Sequence, residues 1–283
     1  MWQIELELLF ISFQDILFVI NIQQIVRSIT KLLYKGVYME FSGNIESFEQ
    51  FREIVKGITP DERYFFRGES RDFYSLIPKI GRIQKFGLLP SYFTEQTILD
   101  RFKNQAIGLI DSVSRTEWEW LALAQHHGLP TRLLDWSTNP LVALYFAVGE
   151  PMIEQDIKKE QLTNPAYAGD AAFYFLTIKS AFIDVNKVKK PLSHNYVGIY
   201  KPPHISNRIK AQSGIFTIQP DPSQPLNERL TSKAIKKYRI PFAVREELRK
   251  ELRLFGVHHA SIFPDLDGLS KYLQNLMLEN SLT

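Results

Sequence analysis

The chain has 283 residues, of which 45% are apolar and 13% aromatic, so it is long and apolar enough to bury a sizeable core. Its 34 basic and 31 acidic residues leave a formal net charge of +3, which excludes the large basic surplus typical of nucleic-acid-binding proteins. Cysteine is absent, which excludes disulfides, thiolate metal sites and cysteine nucleophiles and leads us to expect a cytoplasmic protein.

Residues 1–38 form an apolar extension that charged residues interrupt, so it contains no clean span of about 20 apolar residues. Acidic residues stand where a secretory signal peptide carries basic ones. Three interpretations remain: an amphipathic helix lying on a membrane, a helix packed on the domain, or translation from a misassigned start codon. We favour the third, with Met39 as the true start, and expect membrane contact only if residues 1–38 are genuine. The interrupting residues are Glu5, Glu7, Asp15, Arg27 and Lys31.

Beyond the extension, hydrophobic periodicity predicts helices mixed with short strands. Helices are predicted at residues 45–55, 95–115, 117–127, 141–148, 245–255 and 268–277. Strands are predicted at residues 64–68, 171–178, 215–218 and 258–263, and residues 149–169 are predicted to form a loop. Together they indicate an α+β fold: one mixed domain over residues 45–275 with a central, largely antiparallel sheet flanked by helices, plus an N-terminal apolar helix.

Arg67 lies at the tip of the first predicted strand, beside Gly68. Glycine lets the backbone turn sharply or lets a ligand approach closely, and a guanidinium at such a place can bind a phosphate or carboxylate through paired hydrogen bonds. The alternative is a structural ion pair of Arg67 with Asp61, Glu62 or Glu69. Position alone does not decide between these two roles.

The segment from Gln125 to Pro140 concentrates polar and turn-forming side chains. A histidine there can act as an acid or base near neutral pH, and Asp135 can fix its tautomer. The alternative is a buried network in which Arg132 pairs with Asp135 and holds the loop. Ser137 or Thr138 is predicted to cap the apolar helix that follows.

Other sites have less support in the sequence. The histidine pairs lack the i, i+4 spacing of zinc hydrolases, so we expect no metal. The G-x-S-x-G, phosphate-loop and G-x-G-x-x-G motifs are absent. Asp265 and Asp267 follow a predicted strand and precede a helix, which indicates an N-cap or a carboxylate that faces a site.

These motifs together resemble the FRG domain family over about residues 47–273. The resemblance rests on Ser47-Phe48-Glu49-Gln50-Phe51, Tyr64-Phe65-Phe66-Arg67-Gly68-Glu69-Ser70, Leu76-Ile77-Pro78, the stretch from Gln125 to Ala147, Arg208-Ile209 with Gln212, Gly214 and Phe216-Thr217, and Phe263-Pro264-Asp265-Leu266-Asp267-Gly268. The family is defined by sequence and labelled as of unknown function. The resemblance implies a bacterial or phage accessory protein of a conflict system.

A second resemblance, to ADP-ribosyltransferases of the R-S-E kind, implies a mechanism. Arg67-Gly68 is similar to their arginine-glycine strand and Ser137-Thr138 to their serine-threonine motif, while Asp265 would replace the usual late glutamate. The resemblance implies that NAD is the substrate and that Arg67 holds its phosphate or ribose. It also implies that Ser137 orders the strand around nicotinamide and that the acid stabilises an oxocarbenium-like state.

The sequence therefore predicts an NAD-consuming ADP-ribosyltransferase or NAD glycohydrolase that acts as a toxin or defence effector. The alternatives are a non-catalytic module that binds a nucleotide or phosphorylated small molecule, and a nuclease. If the protein is a transferase, a protein or a nucleic acid would accept the ADP-ribose group. The predicted catalytic residues are Arg67, His127, Ser137 and Asp265. The predicted ligand-binding residues are Gly68, Gln125, Thr131, Arg132, Asp135, Trp136, Arg208 and Gln212.

Overall fold

The computed structural model describes residues 39–57, 63–85, 94–110, 115–179, 181–203, 206–231 and 233–280. The predicted N-terminal helix lies outside these residues. Within them, no helix is both long enough and apolar enough to cross a membrane. Two compact units are present: one includes residues 153–168, and the other comprises the described residues of 40–152 and 169–283. The second unit contains the sheet and the candidate site.

A seven-stranded sheet forms the centre of the larger unit, in the described part of the chain, with the order β1-β7-β4-β2-β3-β6-β5. Neighbouring strands pair antiparallel except β1 and β7, which are parallel. The prediction of a mixed fold with a largely antiparallel sheet flanked by helices is thus confirmed. The strands are β1 (Gly43–Asn44), β2 (Arg63–Glu69), β3 (Leu134–Ser137), β4 (Ala171–Ile178), β5 (Gly198–Tyr200), β6 (Gly214–Ile218) and β7 (Ile235–Ile240).

The described residues also form helices between and beside the strands. They are α1 (Phe48–Lys56), α2 (Lys79–Lys85), α3 (Glu95–Ala106), α4 (Glu117–His126), α5 (Pro140–Val148), α6 (Glu154–Gln161), α7 (Asn207–Ala211), α8 (Leu226–Arg229), α9 (Arg245–Leu254), α10 (His259–Ile262) and α11 (Leu266–Asn280). Three short 3₁₀ helices lie at Ile107–Leu109, Pro191–Ser193 and Phe242–Val244.

Two predicted elements are wrong. Residues 258–263 contain helix α10 instead of a strand, because the His258 amide and carbonyl both bind the Ser261 hydroxyl and close a helical turn. A short apolar run does not distinguish a strand from a helix by itself. Residues 149–169 contain helix α6 instead of only loop. Its polar residues hide any apolar period, but Asp156 accepts a bond from the Ile153 amide at its start.

Helix α5 is the apolar centre of the larger unit. Six of its nine residues are buried, and it packs on β2 and β4 with Phe66 and Phe173 in the same core. Its N-cap is Asn139, whose side-chain oxygen accepts a bond from the Leu141 amide at 2.9 Å. The predicted caps, Ser137 and Thr138, are therefore wrong by one or two residues, and Ser137 instead ends strand β3.

The sheet is open between the neighbouring strands β2 and β3. β2 and β4 pair along the whole of β2, from Arg63↔Ile178 to Glu69↔Ala172. Among the described residues, the pairing of β2 with β3 is limited to Phe66↔Ser137. Beyond this pair, β2 stays paired with β4 and β3 stays paired with β6, so β2 and β3 diverge.

Candidate functional site

A cavity of about 410 Å³ lies where β2 and β3 diverge, a volume within the range of small-molecule sites. Most of the predicted site residues line it. They are Arg67, Gly68, Gln125, Asp135, Trp136, Ser137, Arg208 and Gln212. The remaining four, His127, Thr131, Arg132 and Asp265, lie outside the lining.

Arg67 holds the edge of the opening together. Its Nε and Nη2 atoms donate to Glu69 Oε1 at 2.9 and 2.5 Å, and its Nη1 atom donates to the Asp135 carbonyl at 2.6 Å. Of the predicted ion-pair partners Glu69 is the one observed, while Asp61 and Glu62 lie outside the described residues. Within the part of the chain that the structure describes, these bonds use three of the five N–H groups of the guanidinium and leave two for a ligand.

The Arg67 side chain stays protonated and positively charged even though it is only 14% exposed. Burial works against the charged form, but Glu69 and Asp135 outweigh it and hold the pKa of Arg67 above its ordinary value. A permanently charged guanidinium with two unused donors can bind an anionic group inside the cavity.

Gly68 is required by the packing of helix α5. A Cβ atom at this position would lie 1.9 Å from the Ala143 carbonyl oxygen and 2.5 Å from the Ala147 amide nitrogen. Both are backbone atoms, so no side-chain rotation relieves the clash. Gly68 therefore lets β2 approach the helix, which places Arg67 and Glu69 beside the start of the opening.

Asp135 is fixed by a chain of polar side chains. Gln125 Nε2 donates to Asp135 Oδ2 at 2.8 Å, and Gln125 Oε1 accepts from the buried Thr131 hydroxyl at 2.7 Å. The Asp135 side chain is nevertheless 59% accessible from the cavity. The surrounding protein raises the pKa of Asp135 by desolvation, against the lowering effects of Arg67 and Gln125. Because water still reaches the carboxylate, this rise depends on how far a ligand dries the cavity.

Arg132 belongs to a separate buried ion pair. Its Nε atom donates to Glu95 Oε2 and its backbone amide to Glu95 Oε1, both at 2.8 Å. The predicted alternative, in which Arg132 pairs with Asp135, is therefore wrong. Glu95 lies far away in the sequence, at the start of α3, and no local pattern points to it.

Ser137 ties three segments together at the floor of the cavity. Its hydroxyl donates to the Gln212 carbonyl at 2.7 Å and accepts from the Asn139 amide at 3.0 Å. The side chain is buried and so acts through its neighbours. It fixes the loop before β6, where Gln212 lies, and the start of helix α5.

Of the two adjacent histidines at the end of α4, His126 lines the cavity, whereas His127 is exposed and outside the lining. Burial, followed by the nearby His127 and Arg208, lowers the pKa of His126 to about 4. His126 is therefore neutral at pH 7 and can donate or accept a hydrogen bond there. The sequence alone did not show which of these two adjacent histidines faces the cavity, because this depends on how the helix is rotated about its axis.

One wall of the cavity contains Tyr145 and His259, which the sequence patterns did not indicate as site residues. Burial and Glu150 raise the pKa of Tyr145 above its ordinary value, and its hydroxyl is hydrogen-bonded to His259 Nδ1 at 2.6 Å. His259 stacks on Phe263 with ring centroids 4.5 Å apart, and the Arg208 guanidinium lies 4.4 Å from the centroid of the same ring. In the sequence, Tyr145 lies in an apolar helix and His259 in the wrongly predicted strand, so neither was indicated as a site residue.

Asp265 caps helix α11: its Oδ1 atom accepts a bond from the Gly268 amide at 2.7 Å. The carboxylates that do line the cavity are Glu69, Asp135 and Glu150, and the guanidinium groups are Arg67 and Arg208. In the described ranges, no group of three or more His, Cys, Asp or Glu side chains could hold a metal ion. The cavity thus combines mixed charges with aromatic faces.

Comparison with known proteins bears on one part of the chain. Residues 62–156 match the family model described as FRG domain, which supports the resemblance drawn from the arginine-glycine strand and the Gln125–Ala147 segment. The match includes Arg67, Gln125, Asp135 and Ser137; the predicted domain, residues 45–275, is wider. No curated protein and no solved structure matches the chain.

Proposed function

We propose that this chain, with its FRG-domain match over residues 62–156, binds NAD in the cavity between β2 and β3 and cleaves its bond to nicotinamide, as a glycohydrolase or an ADP-ribosyltransferase. One observation carries the proposal. Arg67 and Ser137, which are on strands joined by the Phe66↔Ser137 pair, line the same cavity.

The charges of the lining support this ligand. NAD carries a cationic nicotinamide ring and an anionic pyrophosphate, so a complementary site needs both carboxylates and guanidinium groups. The lining provides Glu69, Asp135 and Glu150 together with Arg67 and Arg208. A site for a bare polyphosphate or a nucleic-acid strand would instead carry a clear excess of basic groups, which disfavours the nuclease alternative.

The aromatic side chains of the lining support a ligand with flat rings. Trp136, Phe146 and Phe263 all line the cavity, and stacking on such faces is a common way to bind a base or nicotinamide ring. His126, neutral at pH 7, adds a group that can bond to a carboxamide or a ribose hydroxyl.

A second candidate, a non-catalytic nucleotide-binding module, is favoured because β6, one of the two strands that pair with β3 at Ser137, has no carboxylate among its described residues. β6 pairs with β3 at Ser137↔Gly214, and its described residues, Gly214–Ile218, contain no acid. Asp265, the acid that the second resemblance implies, caps α11 instead. An enzyme would have to draw its acid from elsewhere in the cavity.

The test is to incubate purified protein with NAD and quantify free nicotinamide by chromatography, with and without protein or nucleic-acid acceptors. We expect release in at least one condition and its loss in Arg67→Lys, which keeps a charge but not the forked donors. Exposed Arg52→Lys on α1 is the matched control. Binding of NAD without release in any condition would favour the module. If the protein neither binds NAD nor releases nicotinamide, both candidate functions are excluded.

A further inference from the structure

We propose that Asp135 is the catalytic carboxylate of this cavity, which faces the ribose of NAD and stabilises the cation that forms as nicotinamide leaves. The inference rests on the proposed function and names the acid that it lacks. Asp135 comes from β3, the strand of Ser137, whereas the second resemblance implies a late acid, at Asp265.

The three carboxylates of the lining differ in what they are free to do. Oε1 of Glu69 accepts two bonds from Arg67, and its side chain is only 12% exposed. Glu69 is thus committed to holding the guanidinium. Glu150 is exposed, beyond the end of α5, and in the described part of the chain it forms no hydrogen bond or ion pair. Nothing there fixes its direction.

Asp135 is both held and available. Oδ2 accepts from Gln125, and the Asp135 carbonyl accepts from Arg67. Oδ1 has no hydrogen-bond partner among the described residues, and the side chain is 59% accessible from the cavity. A carboxylate with one oxygen anchored and the other presented to the ligand has the geometry needed for electrostatic stabilisation of a developing cation.

The support behind Asp135 is rigid. The Thr131 hydroxyl, which is buried, donates to Gln125 and also accepts from the Leu133 amide at 3.1 Å. Gln125 in turn donates to Asp135, so a continuous hydrogen-bonded chain runs from the loop before β3 to the carboxylate. We infer that Gln125 and Thr131 are positioning residues, since a site works best when its groups are locked by the groups behind them.

The chemistry balances without a co-reactant other than the acceptor. The bond between ribose C1′ and the nicotinamide nitrogen breaks, and its electron pair neutralises the pyridinium, so nicotinamide leaves uncharged. The positive charge passes to C1′ and the ring oxygen, where the Asp135 carboxylate stabilises it. Water or an acceptor hydroxyl then adds to C1′ and loses its proton to Asp135 or solvent.

The charges around Asp135 fit this role. Arg67 Nη1 lies 4.0 Å from Asp135 Oδ2, and Arg208 also favours the ionised form. Both guanidinium groups can bind the pyrophosphate from where they lie in the lining, since in the described residues Arg67 keeps two N–H groups and Arg208 lies over the Phe263 ring. The carboxylate would then be left opposite the cationic half of the ligand.

The experiment compares steady-state release of nicotinamide by Asp135→Asn, Glu69→Gln, Glu150→Gln and wild type, with NAD binding followed by quenching of tryptophan fluorescence, to which Trp136 in the lining contributes. Because Asn keeps the shape and can still accept the Gln125 bond, the variant should fold and bind. We expect Asp135→Asn to lower kcat by about 100-fold or more while KM changes by less than about threefold. Asp100→Asn, an exposed carboxylate on α3, controls for the loss of a charge.

Gln125→Ala provides a readout that a merely structural role would not move. Its bond lowers the pKa of Asp135, so its removal should shift the acidic limb of the kcat–pH profile to higher pH. Wild-type kcat in Asp135→Asn, with release lost in Glu150→Gln or Glu69→Gln, would overturn the role of Asp135 and leave the proposed function intact. A wild-type protein that releases no nicotinamide overturns both.

Discussion

Phe66 on β2 and Ser137 on β3 lie opposite each other at the bridge that joins the two strands, and both residues line the cavity. Beyond this bridge β2 stays paired with β4, while β3 stays paired with β6. Helix α5 begins three residues after Ser137 and packs on β2. The cavity is therefore a direct consequence of how the sheet and its central helix meet.

Gly68→Ala should destabilise the fold strongly. The added Cβ atom would lie within 3 Å of two backbone atoms of α5, so the strand or the helix must move. Overpacking of a well-packed core typically costs about 1–3 kcal/mol, and we expect a value at the upper end because only the backbone can give way. Urea unfolding followed by circular dichroism measures this change.

Gly108→Ala is the matched control for this substitution. A Cβ atom at Gly108 meets nothing within 4 Å, so we expect a change of less than about 0.5 kcal/mol. Equal effects of the two substitutions would contradict the close approach of β2 to α5.

The buried pair of Arg132 and Glu95 should show strong coupling. Arg132→Met leaves the Glu95 carboxylate buried without its partner, which should cost about 3–5 kcal/mol. Arg132→Met with Glu95→Met should lose much less than the sum of the two single changes. Equilibrium unfolding of all four proteins measures this coupling, and the exposed pair of Arg52 and Glu49, both 63% exposed, should show less than about 0.5 kcal/mol.

The sequence contained enough local information to predict the Arg67 strand and the Gln125–Pro140 segment. A strand ending in Arg67-Gly68 and a turn-rich run before an apolar helix are signals that depend on neighbours in the chain. Both were found in the structure, as β2 and as the loop, β3 and the start of α5.

Other features depend on residues far apart in the sequence. Glu95 reaches Arg132 across 37 positions, and the Tyr145 hydroxyl reaches His259 across 114. No periodicity indicates such pairs. The short run at residues 258–263 was predicted as a strand but contains a helix, because the hydrogen bond of Ser261 to the His258 amide closes a helical turn. In the sequence, the apolar run was a stronger signal than this single serine.

Arg245 should be more important for stability than any exposed arginine or lysine. Its guanidinium donates to the Ser70, Gly169 and Ala147 carbonyls at 2.7–3.0 Å, and the side chain is buried. Arg245→Met fills a similar volume but leaves these carbonyls without this donor. Since each unsatisfied buried group costs about 1–3 kcal/mol, we expect a loss of at least about 3 kcal/mol in urea unfolding.

Lys250→Met, on the same helix α9, tests whether the loss at Arg245 reflects burial. Lys250 is exposed and pairs with Glu246 one turn away, so its removal should cost less than about 0.5 kcal/mol. An Arg245→Met protein as stable as Lys250→Met would show that these carbonyls find other donors.

His126 should make the stability of the fold fall in mild acid. Its pKa is lowered to about 4 in the folded protein, against an ordinary value of about 6.5 when unfolded. Between these values the unfolded chain binds more protons, so stability rises with pH from about 4 to 6.5 and is lost as the pH falls through this window. The side chain is partly exposed, so solvent screening reduces the effect to about 1 kcal/mol.

Since other histidines also titrate here, the measurement is the difference between wild type and His126→Gln in urea unfolding at pH 7 and pH 4.5. Relative to wild type, the free energy of unfolding of His126→Gln should rise by about 1 kcal/mol between pH 7 and pH 4.5. His127→Gln, at an exposed position outside the lining of the cavity, is the matched control for the loss of an imidazole. A pH-independent difference for His126→Gln would mean that His126 has the same pKa in the folded and unfolded states. This result would contradict the desolvation of His126 in the wall of the cavity.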